Sequence, residues 1–269
     1  MTVQGRRERA GKLLASAVEE GADGEQVGED LFGSSDLLAG SAPLREGLTD
    51  PSRTDSDKLA LLDAVFAANV TKTALEVLQD LVKEHWTSSR ALVEVTSDLG
   101  LDAYIYQALK DGEYADLAQQ LIDAVSLISG ERELRVQLSD IGEGGAKDRA
   151  NLARVIFKGR VSPIAERLII RAAFSTHYGE LLQTLRSYAS RVAELTGKTL
   201  VVAYTATELD EKQYKKLTQL ASRRWQIDVL LTTVIDPSLI GGFRLDAGEQ
   251  SVDTTVRRDF VVARESLTR

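Results

Sequence analysis

The feature that most constrains this chain is a self-similarity at an offset of about 90 residues. Leu31, Leu37, Gly40, Leu44, Arg45, Leu48 and Asp50 fall on Leu121, Leu127, Gly130, Leu134, Arg135, Leu138 and Asp140. At the same offset Ala60, Leu62 and Val65 meet Ala150, Leu152 and Val155, and a one-residue gap then aligns Phe66, Val70 and Ala74 with Phe157, Val161 and Ala165. Going backward, Ala17 and Gly21 lie over Ala108 and Gly112. Leu and Ala recur in any helical sequence, so the matched Gly, Arg and Asp positions are what point to two copies of one structural unit.

Each copy is written in helical grammar. Apolar residues return at three and four in Leu13, Leu14, Ala17 and Val18, in Leu59, Leu62, Val65 and Phe66, and in Leu75, Leu78, Leu81 and Val82, each set being one face of an amphipathic helix. Asp50-Pro51-Ser52 and the Gly-rich stretch from Ile141 to Gly145 interrupt the pattern as loops. Two bundles of five or six helices are expected, over residues 1–100 and 101–192. After Leu195 the grammar changes: strands are expected at Thr199–Tyr204, Ile227–Val234, Phe243–Leu245 and Ser251–Thr255, with helices over Asp210–Arg224 and Val256–Leu267. The expected fold class is therefore α+β, mostly α: two tandem helical bundles followed by a small C-terminal α/β domain over 193–269.

Composition narrows the function by exclusion. The 269 residues carry 33 Lys plus Arg against 41 Asp plus Glu, a net charge of -8, which disfavours free binding to nucleic acid or to an anionic lipid surface. There is no Cys, which removes thiol chemistry, disulfides and Cys-rich zinc sites. No apolar run reaches the roughly 18 to 20 residues of a membrane span. The stretch from Gly142 to Lys147 has the glycines of a phosphate-binding loop but not the spacing, and Asp148 stands where Ser or Thr is required. His85 and His177 each precede an aromatic residue and have no further ligands at helical spacing. Neither a nucleophile motif nor a metal set nor a cofactor loop is present, so no catalysis and no cofactor are expected.

The tract Val234-Ile-Asp-Pro-Ser-Leu-Ile-Gly-Gly-Phe243, followed by Leu245 and by Asp253-Thr-Thr-Val256, resembles the C-terminal signature of the delta subunit of F-type ATP synthases, the oligomycin-sensitivity-conferring protein of mitochondria. TLVVAYTATELD before the Asp210 helix and IDVLLTTVIDPSLIGG after it are similar to the same family, and the Leu-rich bundle resembles its N-terminal domain. Members usually have one bundle and about 180 residues. The second copy here departs from that pattern and fits an enlarged, actinobacterial-like form.

The resemblance implies a non-catalytic stator subunit that links the catalytic α/β headpiece to the b-subunit stalk and resists rotor torque during proton-driven ATP synthesis. It implies contacts with N-terminal helices of the α subunits and with b subunits, with β or γ subunits as further candidates, and a peripheral location at the cytoplasmic face of the cell membrane, reached through the complex. A compliant loop is expected between domains. Candidate partner-binding residues are Leu13, Leu14, Ala17 and Val18 on the first helix, and Asp236, Pro237, Leu239, Gly241, Gly242, Asp253 and Val256 in the C-terminal tract. The glycine pair and Asp236-Pro237 either order a tight turn or shape a surface for a partner helix. Asp253 either caps the last helix or pairs with a partner. Two other function classes fit the same residues: a free helical-repeat adaptor, and a small α/β enzyme with a pocket near Asp236 to Gly242.

Overall fold

A computed structural model describes residues 2–139, 142, 144–175, 179–239, 242–248 and 250–253. Its contacts divide the chain into two compact units, Met1–Glu113 and Tyr114–Arg269.

The first unit holds six helices: α1 (Val3–Glu19), α2 (Gly24–Gly40), α3 (Ala42–Thr49), α4 (Asp55–Phe66), α5 (Lys72–Val82) and α6 (Ser89–Lys110). Their starts are chemically marked. Thr2, Asp23, Thr54, Thr71 and Ser88 each place a side-chain oxygen on an otherwise unpaired amide of the first turn, which removes a donor that the helix itself cannot satisfy. Leu14, Val18, Leu31, Leu38, Leu62, Phe66, Leu78, Leu81 and Leu99 meet in one core.

Two kinds of contact set the unit's geometry. Helices α2 and α6 cross on glycine, for a Cβ built on Gly28 would lie 2.5 Å from the Tyr104 ring and one on Gly100 would lie 2.8 Å from Phe32. The boundary expected between residues 100 and 101 thus falls inside α6, at a residue whose bare backbone lets α2 approach. The N-terminal half of α1 is held by charge. Arg7 contacts Asp98 at 2.7 Å and the fully buried Asp102 at 3.1 Å, Arg9 contacts Asp80 and Glu84, and Arg6 lies 5.0 Å over the Trp86 ring.

The second unit begins with α7 (Tyr114–Gly130), α8 (Arg132–Gln137), α9 (Ala146–Phe157), α10 (Pro163–Ser175) and α11 (Leu181–Leu195). The 90- to 91-residue offset carries α2 onto α7, α3 onto α8, α4 onto α9 and α5 onto α10, and it carries individual hydrogen bonds too. The Thr71 amide donates to Asp30 at 2.6 Å, and the Ser162 amide donates to Gln120 at 2.8 Å. Thr71 and Ser162 in turn accept from Ala74 and Ala165. Arg45 donates to the carbonyls of Leu38 and Ala39 near the end of α2, and Arg135 to that of Ser129 near the end of α7. Leu48 and Leu138, Phe66 and Phe157, and Ala74 and Ala165 are buried alike.

The α/β region completes the second unit. A four-stranded sheet has the order β2-β1-β3-β4, formed by β1 (Thr199–Thr205), β2 (Val229–Ile235), β3 (Phe243–Ala247) and β4 (Gln250–Asp253). β1 and β2 run parallel, joined by α12 (Glu211–Trp225), and the other two pairs are antiparallel. Leu217 and Ala221 of α12 pack on Val201, Ala203, Val229, Leu231 and Leu245, and the Tyr214 hydroxyl donates to the Leu231 carbonyl at 2.7 Å. The mostly helical fold with a small C-terminal α/β part is as expected. Residues 256–267, expected to be helical, lie outside the described residues.

Within the second unit α7 is docked directly on the sheet. Gln119 on α7 presents its amide to the free edge of β2, accepting from the Thr233 amide at 2.8 Å and donating to the Thr233 carbonyl at 2.7 Å. One side chain thereby replaces the neighbouring strand that an edge residue lacks. Lys198 reinforces the joint, 3.2 Å from the Tyr114 hydroxyl at the start of α7.

Candidate partner-binding surfaces

On α1 the structure separates the four expected residues. Leu14 and Val18 are buried in the first unit's own core, Ala17 is half-buried and Leu13 is exposed. The stripe read as a receiving groove is therefore occupied mostly by the helix's own bundle, and only its Leu13 edge faces outward.

The C-terminal tract is displayed differently. Ile235 ends β2 at 49% exposure, and the chain then turns sharply. The Asp236 carboxylate accepts from the Ser238 amide at 3.0 Å and from its hydroxyl at 2.6 Å, while the Asp236 amide donates to Thr205. Those bonds from Ser238, first the hydroxyl and then the amide, hold the Asp236 carboxyl below its ordinary range. Asp50-Pro51-Ser52 closes the same turn in the first unit. Pro237 is exposed and Leu239 half-buried. Gly242 has φ +76°, a conformation that side chains with a Cβ rarely adopt. Asp253 closes β4; Gly241 and Val256 lie outside the described residues.

Beside this turn, Leu209, Leu217, Leu220, Phe243 and Gly242 line an apolar recess of about 420 Å³ at the carboxyl end of β1. Leu220 stands at its rim, 42% exposed. Ile235, Pro237, Leu220 and the recess thus lie at the carboxyl ends of the two parallel strands and on the adjoining α12. The arrangement offers apolar contact rather than reacting groups. Among the described residues no cluster of three or more His, Asp or Glu could hold a metal ion, and no helix is long and apolar enough to cross a membrane. In the Gly142–Lys147 loop the Asp148 carboxylate accepts from the Gly145 amide at 3.0 Å, so an acidic group already stands where a phosphate would need that donor. His85 is exposed, and His177 lies outside the described residues.

Sequence reasoning missed the exposed apolar residues that the repeat displays twice. Leu37 and Leu127 are equivalent and stand 46% and 41% exposed on α2 and α7. Their pairing was visible in the offset, but periodicity alone does not say which side of a helix its neighbours cover.

Comparison with known proteins then decides the family. The family model described as ATP synthase delta (OSCP) subunit matches residues 102–267, more than half of the chain. The chain belongs to the ATP synthase delta (OSCP) subunit family. The "ATP synthase subunit delta" of Kineococcus radiotolerans is 31% identical over 248 residues, covering 92% of this chain and 90% of that protein. That of Bifidobacterium longum subsp. infantis is 29% identical over 235 residues, covering 87% and 84%. Membership makes the chain a non-catalytic component of the ATP synthase peripheral stalk. The family model begins at residue 102 and so covers the second unit, whereas the Kineococcus alignment leaves at most 21 of the 269 residues unmatched and must include most of the first. The additional bundle is therefore shared with that relative.

Proposed function

We propose that this delta subunit joins the catalytic α/β headpiece to the b-subunit stalk, at the cytoplasmic face of the cell membrane, and prevents the headpiece from turning with the rotor. In this reading the two bundles arose by duplication and face the headpiece, holding N-terminal helices of α subunits, and the α/β region holds the stalk. The observation that carries the assignment of ends is the C-terminal tract. Its signature residues sit beside exposed Ile235 and Leu220 and an apolar recess, the kind of surface that seats the apolar face of a partner helix.

A stator joint must hold under repeated torque. A nanomolar contact corresponds to about 12 kcal/mol, within reach of helix-in-groove burial at each end. The pinning of α7 to β2 through Gln119 favours a stiff link within the second unit. The test uses the assembled enzyme carrying Leu220→Asp with Ile235→Asp, two exposed positions that can take charge without unfolding the sheet. The expected result is loss of the b subunits on purification, with α and β retained. Retention of b at wild-type yield would show that the stalk binds elsewhere.

A further inference from the structure

The two bundles share their skeleton but differ in charge at one equivalent helix. From Gly144 to Arg160, around α9, there are five cations and one carboxylate; the equivalent stretch Arg53 to Asn69, around α4, has two cations and three carboxylates. The difference lies on the outward face. Lys147, Asn151, Arg154 and Lys158 recur at intervals of four, three and four residues, so they form one row along α9. All four are exposed, and Val155 beside them is 77% exposed. The helix starts Asp55 and Ala146 and the buried Lys58 and Arg149 are 91 apart, which moves the one-residue gap ahead of α4 and replaces the offset of 90 expected for Ala60, Leu62 and Val65. The row's counterparts around α4 are then Ser56, Ala60, Asp63, Ala67 and, for Val155, Ala64. Each helix buries a cation at the equivalent position, Lys58 and Arg149, so the buried side agrees in charge while the surface differs.

Among the described residues no carboxylate forms a salt bridge with this row. Lys147, Lys158 and Arg160 form no salt bridge among the described residues, and Arg154 donates to Asn151 at 2.7 Å. In a protein of net charge -8, an exposed cationic row with a bare valine at its flank calls for a complementary surface.

We propose that the outward face of α9 docks a carboxylate-rich amphipathic helix of another ATP synthase subunit. Carboxylates at one-turn spacing would face Lys147, Arg154 and Lys158, and an apolar side chain would cover Val155. The first bundle lacks this surface, so the two copies take partners of different charge. A helix suits the face better than an anionic bilayer does. The cations form a single narrow row at helical pitch, Val155 is the one exposed large apolar side chain on α9, and the chain's net charge repels lipid phosphates. The proposal rests on assembly into the enzyme and not on which subunits the α/β region holds.

The test compares acylation of Lys147 and Lys158 in the isolated chain and in detergent-purified ATP synthase, together with zero-length carbodiimide coupling of lysine to carboxylate. Both lysines should be acylated about tenfold more slowly in the assembled enzyme, as expected for amines held in ion pairs under a partner helix. Coupling should link at least one of them to Asp or Glu of a helix in another subunit. Arg154→Glu should restore acylation of Lys158 in the assembled enzyme and leave the isolated chain's helicity unchanged. Equal acylation in the two states would overturn the proposal, as would coupling to this chain's own carboxylates alone. Protection that appears only in vesicles of equal phosphatidylglycerol and phosphatidylcholine, and not in detergent, would assign the face to lipid instead. Changes at Leu220 and Ile235 are made separately, so the stalk assignment and this one can fail independently.

Discussion

The α2–α6 crossing makes a prediction whose sign is set by two opposing terms. Replacing Gly28 with Ala removes the propensity penalty of an interior helical glycine, about 1 kcal/mol. It also places a methyl group 2.5 Å and 2.6 Å from two carbons of the Tyr104 ring. That ring cannot retreat easily, because Tyr104 is fully buried, donates to Glu29 at 2.7 Å and stacks on Phe32 at 5.9 Å. Overpacking of a core costs about 1 to 3 kcal/mol, and so rigid a neighbour puts this site near ~3. The net expectation is destabilisation by about 2 kcal/mol. Unfolding entropy near ~2.1 cal/mol/K per residue, over the unit Met1–Glu113, converts this to a Tm lowered by roughly 8 °C. Gly33 on the same helix has nothing within 4 Å of its built Cβ. There Ala should raise Tm by up to about 4 °C through propensity alone. Trp86 and Trp225 are the chain's two tryptophans, so thermal melts followed by fluorescence in a Trp225→Phe background report the first unit through Trp86. The reasoning is refuted if Gly28→Ala melts at or above the temperature of Gly33→Ala.

Two further expectations concern the second unit. Gln119→Ala removes both bonds to Thr233 at the β2 edge; at about 1 kcal/mol each, the joint should weaken by roughly 2 kcal/mol, read as faster hydrogen exchange at the Thr233 amide. An unchanged exchange rate would mean that α7 does not protect that edge. Asp236 has a folded pKa below its ordinary 3.8 because Ser238 donates to it, by hydroxyl and then by amide. Its contribution to stability is therefore complete above the unfolded value and is lost as pH falls through the folded one. A carboxyl titration by NMR should place Asp236 below 3.8, with Ser238→Ala moving it upward; a midpoint at or above 3.8 in the unaltered chain would contradict the turn geometry.

The sequence carried its helices and its strands by different signals, and their legibility differed accordingly. Period and turn residues located β1, α12 and β2 to within a residue or two of Thr199–Tyr204, Asp210–Arg224 and Ile227–Val234, because half-buried short elements bounded by polar turns leave little choice of register. Burial within the amphipathic stripes was harder. Leu13 and Leu14 are adjacent and equally apolar, yet one faces solvent and the other the core, a difference decided by where α5 and α6 pack. The docked joint was hidden for a similar reason. Gln119 looks like any polar residue on a helical surface, and only the tertiary approach of α7 to β2 turns its amide into a strand substitute.

The likeness between the helices of the two units is informative because its two kinds of position behave oppositely. Groups that close the bundle keep their chemistry across the offset even where the residue changes: Asp30 and Gln120 are different side chains that accept from equivalent helix-start amides. An unpaired amide buried at a helix start would cost about 1 to 3 kcal/mol in either copy, so replacement is confined to residues that still offer an oxygen. Exposed positions of α4 and α9 carry less of that cost, and there Asp63, which accepts from Gln79 at 2.8 Å, stands opposite Arg154, which donates to Asn151. A reversal of charge on an otherwise matched face has little effect on folding but a large one on which surfaces can approach. Two copies retained for stiffness alone would have no reason to diverge there, whereas copies that meet different neighbours would.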